Sequence, residues 1–132
     1  MKVFLSRKFH ADFSDKLLIE EIDSVLRGLD LETVFIARDL EKWGKAHFAP
    51  AELMKHTFSA IDSCDLVIVD LSVKGVGLGI EAGYAAGKGK PLVVIARTGS
   101  DISATLRGIA NKVIFYERQQ DLAEKLSFLR NK

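Results

Sequence analysis

At 132 residues the chain is long enough for one packed core and too short for two. Hydrophobic residues make up 48% and charged residues 28%, a composition that excludes a disordered or fibrous protein. The 19 basic and 18 acidic residues leave a net charge of +1, without the basic surplus of a surface that grips nucleic-acid polymers. Cys64 is the one cysteine, which excludes an internal disulfide and fits a reducing compartment. No apolar run reaches the roughly 18 residues of a membrane span, and the N-terminal run lacks a signal-peptide pattern. The expectation is therefore a cytoplasmic protein of one domain over residues 1–132, with no membrane partner.

In chain order, Met1 to Leu5 (MKVFL) reads as a first strand. A helix follows from about Asp12 to Leu29, with Leu17, Leu18, Ile22, Val25, Leu26 and Leu29 at helical spacing and charges between. Glu32 to Ala37 (ETVFIA) is a second strand, and Arg38 to Phe48 has no clear period and reads as a long loop. Pro50 opens a helix, where its missing N–H costs nothing, and that helix runs to about Ser63. Asp65 to Leu71 (DLVIVDL) is an unbroken apolar run between aspartates, the pattern of a strand covered on both faces. A glycine-rich turn at Gly75 to Gly79 leads into a helix from about Gly77 to Gly87. Pro91 to Ala96 (PLVVIA) is a further central strand, and a short helical turn lies near Ser103 to Gly108. Lys112 to Tyr116 (KVIFY) is the last strand, and Leu122 to Leu129 a closing helix.

Strands alternating with helices describe βαβ units and a parallel sheet. Five strands with helices on both faces predict an α/β, flavodoxin-like, doubly wound sandwich in the order 2-1-3-4-5. In such sheets ligands sit beyond the carboxyl ends of the strands, where the strand order reverses. That rule selects the loops Ser6–His10, Leu71–Gly79 and Arg97–Ser103, all of which carry unusual chemistry.

The stretch Lys74-Gly-Val-Gly-Leu-Gly-Ile-Glu81 follows a buried strand and begins a helix. Gly75, Gly77 and Gly79 permit positive φ and let a ligand approach the backbone. Free N–H groups at a helix start favour an anion or sugar oxygens, and Glu81, in about the first turn, reaches the same space. The competing reading is a tight turn whose Glu81 only supports the helix dipole. The spacing is neither the GxGxxG of a dinucleotide site nor a P-loop, since no Gly-Lys-Ser/Thr follows.

The blocks Asp65-Leu-Val-Ile-Val-Asp-Leu-Ser72, Gly75-Val-Gly-Leu-Gly-Ile-Glu-Ala-Gly-Tyr-Ala85 and Gly89-Lys-Pro91 together resemble the nucleoside 2-deoxyribosyltransferase family. A second block, Ile102-Ser-Ala-Thr-Leu-Arg-Gly-Ile-Ala110, is similar to its nucleoside 5′-monophosphate N-glycosidase branch. The resemblance implies that Glu81 is a nucleophile that attacks the anomeric carbon of a ribose ring and displaces the base. A carboxylate suits that step, because it can both stabilise an oxocarbenium-like transition state and bond to it. It also implies a 5′-phosphate cradle of Ser6, Arg7 or Lys8 and the glycine-loop backbone, with Ser103 entering from a neighbouring subunit. The residues agree: Ser6-Arg7-Lys8 puts a hydroxyl and two cations after the first strand. Two solvated charges are the plainer alternative.

Two positions depart from the family pattern. Phe4 stands where the family has a first-strand tyrosine, and Thr57 stands where it has an aspartate that helps protonate the leaving base. A threonine is no general acid, so His56 beside it and Asp70 at the end of the third strand become the candidates. An exposed helix histidine and a turn cap are their plainer readings. Trp43, His47 and Phe48 could form a lid that stacks on a base. The histidines lack a third ligand at suitable spacing, so no metal is expected, nor any cofactor. The expected partner is a nucleoside or nucleoside 5′-monophosphate, with a homodimer or higher homo-oligomer completing the pocket. Two functions follow: hydrolysis or transfer at the N-glycosidic bond, or a nucleotide-sensing module that has lost catalysis through Phe4 and Thr57.

Overall fold

The computed structural model describes residues 1–10 and 12–130. Five strands form one sheet: β1 (Lys2–Ser6), β2 (Glu32–Val34), β3 (Leu66–Asp70), β4 (Leu92–Arg97) and β5 (Lys112–Tyr116). Every pairing is parallel and the order is β2-β1-β3-β4-β5, as the alternation of strands and helices predicts. The register sets Ser6 opposite Val69 and Asp70 opposite Ile95, so the ends of three strands meet at one edge of the sheet.

The period-two geometry of each strand sends alternate residues to opposite faces, and both faces are dry. On one face Val3, Leu5, Ile68 and Ile95 pack against α1 (Lys16–Gly28) and α6 (Leu122–Lys125). On the other, Phe4, Val67, Val69 and Val94 pack against α3 (Pro50–Asp62), α4 (Val76–Gly87) and α5 (Ala104–Ile109). That is why DLVIVDL reads as an apolar run without alternation: all five residues of β3 are buried.

Local chemistry moves several element boundaries. The first helix begins at Lys16 rather than Asp12, and Asp15 does not cap it, because its carboxylate is taken by Arg7 and His10. The second strand ends at Val34 rather than Ala37. There the Asp39 carboxylate accepts from the Phe35 N–H at 2.8 Å and turns the chain into α2 (Ile36–Asp39), a short helix inside the expected loop. A 3-10 turn at Lys42–Gly44 follows, with Trp43 at φ 58°. The closing helix is not continuous: α6 spans four residues and is flanked by 3-10 turns at Gln119–Asp121 and Ser127–Leu129. Among the described residues no helix is long and apolar enough to cross a membrane.

Candidate active site

The reversal point of the sheet lies between β1 and β3, which leave for opposite sides, and a cleft of about 600 Å³ opens there. Its aromatic walls are Phe9, Phe13, Phe35 and Trp43; Phe4, Leu53 and Met54 add apolar surface. Glu81 and Gly77 of α4 reach it from the other side.

Glu81 is the sixth residue of α4, in its second turn rather than the first, the helix starting at Val76, one residue before its expected start. The Ser6 hydroxyl, at the carboxyl end of β1, donates to Glu81 Oε1 at 2.5 Å. Burial pushes the Glu81 carboxyl up to about 7, and the Ser6 hydrogen bond offsets only part of that. A carboxyl poised near neutrality in a largely apolar cleft is the environment expected of an acid, base or nucleophile.

The glycines of the loop do not work through positive φ, which occurs only at Gly44, Gly89 and Gly99 among the glycines. Gly75 is the extended residue before α4, and Gly77 and Gly79 lie in the helix itself. A Cβ on Gly77 or Gly79 would meet nothing within 4 Å, so what they leave is open ground over the helix start. Gly77 lines the cleft, whereas Gly75 sits beside the Lys8 side chain and Gly79 is exposed outside it.

Arg7 corrects an expectation. Its guanidinium is not free for phosphate: Nε bonds Asp70 at 3.0 Å and Nη1 bonds Asp15 at 3.1 Å, with the side chain 4% exposed. Asp70 is likewise not a candidate acid at the cleft mouth. It is fully buried and accepts from Arg7, from the Tyr116 hydroxyl at 2.7 Å, and from the Ser72 N–H and hydroxyl. Burial and the Asp70 charge raise the Tyr116 hydroxyl well above the usual phenol range, which keeps it a donor. Burial pushes Asp15 up, but hydrogen bonds from His10 and the Arg7 charge outweigh it and hold the carboxylate below its ordinary value. This chain of charges stiffens the β1–α1 loop, which follows Ser6 and carries Lys8. Its signal in the sequence, an arginine and two aspartates at distant positions, has no local pattern.

His56 is a second correction: it is exposed on α3 and stacks edge-on against Phe48, outside the cleft. Thr57 lines the cleft instead, buried, its hydroxyl donating to the Leu53 carbonyl at 2.8 Å. Phe4 is 1% exposed and touches the cleft from β1. Trp43 does form a wall, tilted against Phe9 and Phe35 with the Lys16 ammonium 4.9 Å from its ring, and His47 lies beside it. Ser103 caps α5 by accepting from the Leu106 N–H, away from this cleft. Glu41, which nothing in the sequence singled out, also lines the cleft. Among the described residues no group of three or more His, Cys, Asp or Glu could hold a metal.

Fold and site together define the class: a five-stranded parallel α/β sheet with the flavodoxin-like architecture of deoxyribosyltransferases and a carboxylate at its reversal point. No family model matches the chain. A protein of Thermofilum pendens, provisionally named 2′-deoxynucleoside 5′-phosphate N-hydrolase 1, is 26% identical over 133 residues, covering 96% of this chain and 92% of that one. Among solved structures, a CMP N-glycosidase from Clostridium botulinum aligns with a TM-score of 0.69 at 24% identity, covering 98% of this chain and 99% of that one. The 2-deoxyribosyltransferase of Bacillus psychrosaccharolyticus aligns with a TM-score of 0.71 at 16% identity, covering 93% and 90% of the two chains. The solved structures share the fold that the motif resemblance implies, and the names of these proteins agree with that resemblance.

Proposed function

We propose that the protein is an enzyme that cleaves the N-glycosidic bond of a nucleoside or deoxynucleoside 5′-monophosphate by hydrolysis, or transfers the same sugar to another base. The Glu81 carboxylate attacks C1′, and the base leaves with the electron pair of the glycosidic bond. A glycosyl ester on Glu81 results. Water then attacks C1′ as the ester bond to Glu81 breaks, and the proton water gives up balances the one the departed base takes up, so the products are the free base and the sugar 5-phosphate. Ser6 holds the nucleophile, Lys8 and the α4 N-terminus meet the phosphate, and the aromatic wall of Trp43 covers the base.

The position of Glu81 carries this reading: a carboxyl held at 2.5 Å by Ser6, facing an apolar cleft large enough for a nucleoside, with its proton affinity raised to about 7. The likeness to a protein named as a deoxynucleoside 5′-phosphate hydrolase favours hydrolysis of a monophosphate over transfer between free nucleosides. A homodimer belongs to the same reading. Val76, 83% exposed, and Ile80 stand out from α4, apolar side chains that a second copy would cover while bringing its Ser103 loop close. Light scattering that finds a monomer at micromolar concentration removes that part.

The test is release of free base from a panel of ribo- and deoxyribonucleoside monophosphates. Glu81→Ala is expected to reduce release on the order of 10³-fold or more while leaving the fold intact. Because only the ionised carboxyl attacks, kcat/KM should climb as pH rises through about 7 and level off above it. A second reading is favoured by Thr57, which supplies no acid at the family's protonating position: a nucleotide-binding module without turnover. Tight monophosphate binding with no base released by the wild type would select it.

A further inference from the structure

Five polar side chains line the cleft: those of Arg7, Glu41, His47, Thr57 and Glu81. Three have partners, since Arg7 is in two ion pairs, Thr57 bonds Leu53 and Glu81 bonds Ser6. The Glu41 and His47 side chains make no hydrogen bond or ion pair with the described residues. Of the two, Glu41 is fixed from below. Its N–H donates to the Ile36 carbonyl, and its own carbonyl accepts from the N–H groups of Gly44 and Ala46, at 2.9 to 3.0 Å. Two left-handed residues, Lys42 at φ 51° and Trp43 at φ 58°, close that turn, and Trp43 lines the same cleft. A carboxylate that is half-buried, anchored through its backbone and unpartnered through its side chain is a hydrogen-bond acceptor in waiting.

We propose that Glu41 reads the nucleobase, selecting those that present an amino group (cytosine, adenine) over the counterparts with a carbonyl in the same place (uracil, hypoxanthine). This rests on the nucleotide reading of the cleft given above. The chemistry follows from what a carboxylate can do. Its oxygens only accept, so an exocyclic –NH₂ satisfies them, whereas a carbonyl in the same place sets two acceptors against each other. Trp43 next to it supplies the flat surface on which a ring would lie, leaving the edge of that ring to Glu41. The rest of the wall, Phe9, Phe13 and Phe35, cannot discriminate between bases by hydrogen bonding. A half-buried acceptor that a bound ring has stripped of water, and that the wrong substrate leaves unpaired, discriminates by the charged hydrogen bond it loses.

The experiment pairs substrates that differ at one group: CMP against UMP and AMP against IMP, with their deoxy counterparts. For each, base release and equilibrium binding are measured on wild type and on Glu41→Gln. The wild type is expected to favour the amino member of each pair by about tenfold to a hundredfold in kcat/KM or in Kd. Glu41→Gln, whose amide can donate as well as accept, should bring the ratio close to one, chiefly by gaining on the keto member. Melting temperature should stay the same, which separates base reading from a structural role. Three results overturn the proposal: a wild-type ratio near one, a ratio that survives Glu41→Gln, or equal loss of turnover on both members with binding unchanged, which marks a proton-transfer role. If no base is released at all, the glycosidase reading has failed, and the binding ratios still decide for or against Glu41. If nothing binds, both fall.

Discussion

At the end of the cleft formed by β1 and α4, the polar side chains are held. Glu81 is bonded to Ser6, and Arg7 sits between Asp15 and Asp70, which Tyr116 and Ser72 also clasp. At the opposite end, formed by α2, the 3-10 turn and the start of α3, the wall is aromatic and aliphatic, and Glu41 and His47 have no side-chain partner among the described residues. The first end is rigid before any ligand arrives, as suits a group that must point at one reacting atom. The second offers surface and a few free acceptors, as suits recognition of a flat ring. The two departures from the resembled pattern both line the cleft: Phe4 from β1, and Thr57 from α3.

The contrast breaks first at Arg7. In Arg7→Met the side chain's apolar length is kept, but Asp15 and Asp70 lose their shared cation in a buried setting. Removing one partner of such a cluster is expected to destabilise by about 3 kcal/mol or more. For a chain of this size that lowers the melting temperature by roughly 10 °C. A melting temperature within a few degrees of wild type, together with a selective loss of monophosphate affinity, would make Arg7 a ligand after all and erase the distinction between the two ends.

Glu81→Gln sharpens the contrast from the other direction, because a site held ready for chemistry carries strain in the free protein. Burial raises the folded carboxyl to about 7 from an ordinary value near 4.5, so the folded state holds its proton more tightly than the unfolded chain does. The neutral acid is therefore fully accommodated below about pH 4.5. Stability drains away as pH rises from there through about 7, and stays lower above. The amide has no such dependence and still accepts from Ser6. Glu81→Gln should be more stable than wild type by about 2 kcal/mol at pH 8, a figure reduced for partial exposure, and nearly equal to it at pH 4.5. Denaturant unfolding at the two pH values reads the difference; a variant no more stable at pH 8 would mean that Glu81 is better solvated than its place in the cleft implies.

The two ends were also unequally legible in the sequence. Strand order, the glycine turn and Glu81 follow from periodicity and from a motif contiguous in the chain, so the sequence carries them locally. The buried network was not legible in this way, because Arg7, Asp15, Asp70 and Tyr116 come together only through the β1–β3, β3–β4 and β4–β5 pairings. Hence Arg7 and Asp70 read as a phosphate ligand and an acid, when their charges in fact satisfy each other. His56 was misplaced for a simpler reason: on a helix, neighbours in sequence point about 100° apart, so its neighbour Thr57 turns inward as His56 turns out. Glu41 escaped notice because Arg38 to Phe48 has no period, and its short helix and left-handed turn depend on local hydrogen bonds such as Asp39 to Phe35.

Lys8 gives the smallest effect and the finest test of the rigid end. Its ammonium is the cation of the first loop that remains exposed once Arg7 is committed, and its Cδ lies 3.6 Å from where a Cβ on Gly75 would stand. The stem thus crosses the residue before α4, where free N–H groups and a lysine would act on the same phosphate. Lys8→Ala should lower kcat/KM about tenfold on a nucleoside 5′-monophosphate and leave the matching free nucleoside unchanged, since the nucleoside has nothing for the ammonium to hold. Being exposed, that gain must shrink with salt, so the wild-type advantage on the monophosphate should narrow between 0.05 and about 1 M salt, where the screening length falls to about 3 Å. Equal loss on both substrates would place Lys8 in the structure of the loop rather than at the phosphate, and would leave the α4 backbone as the main anion contact.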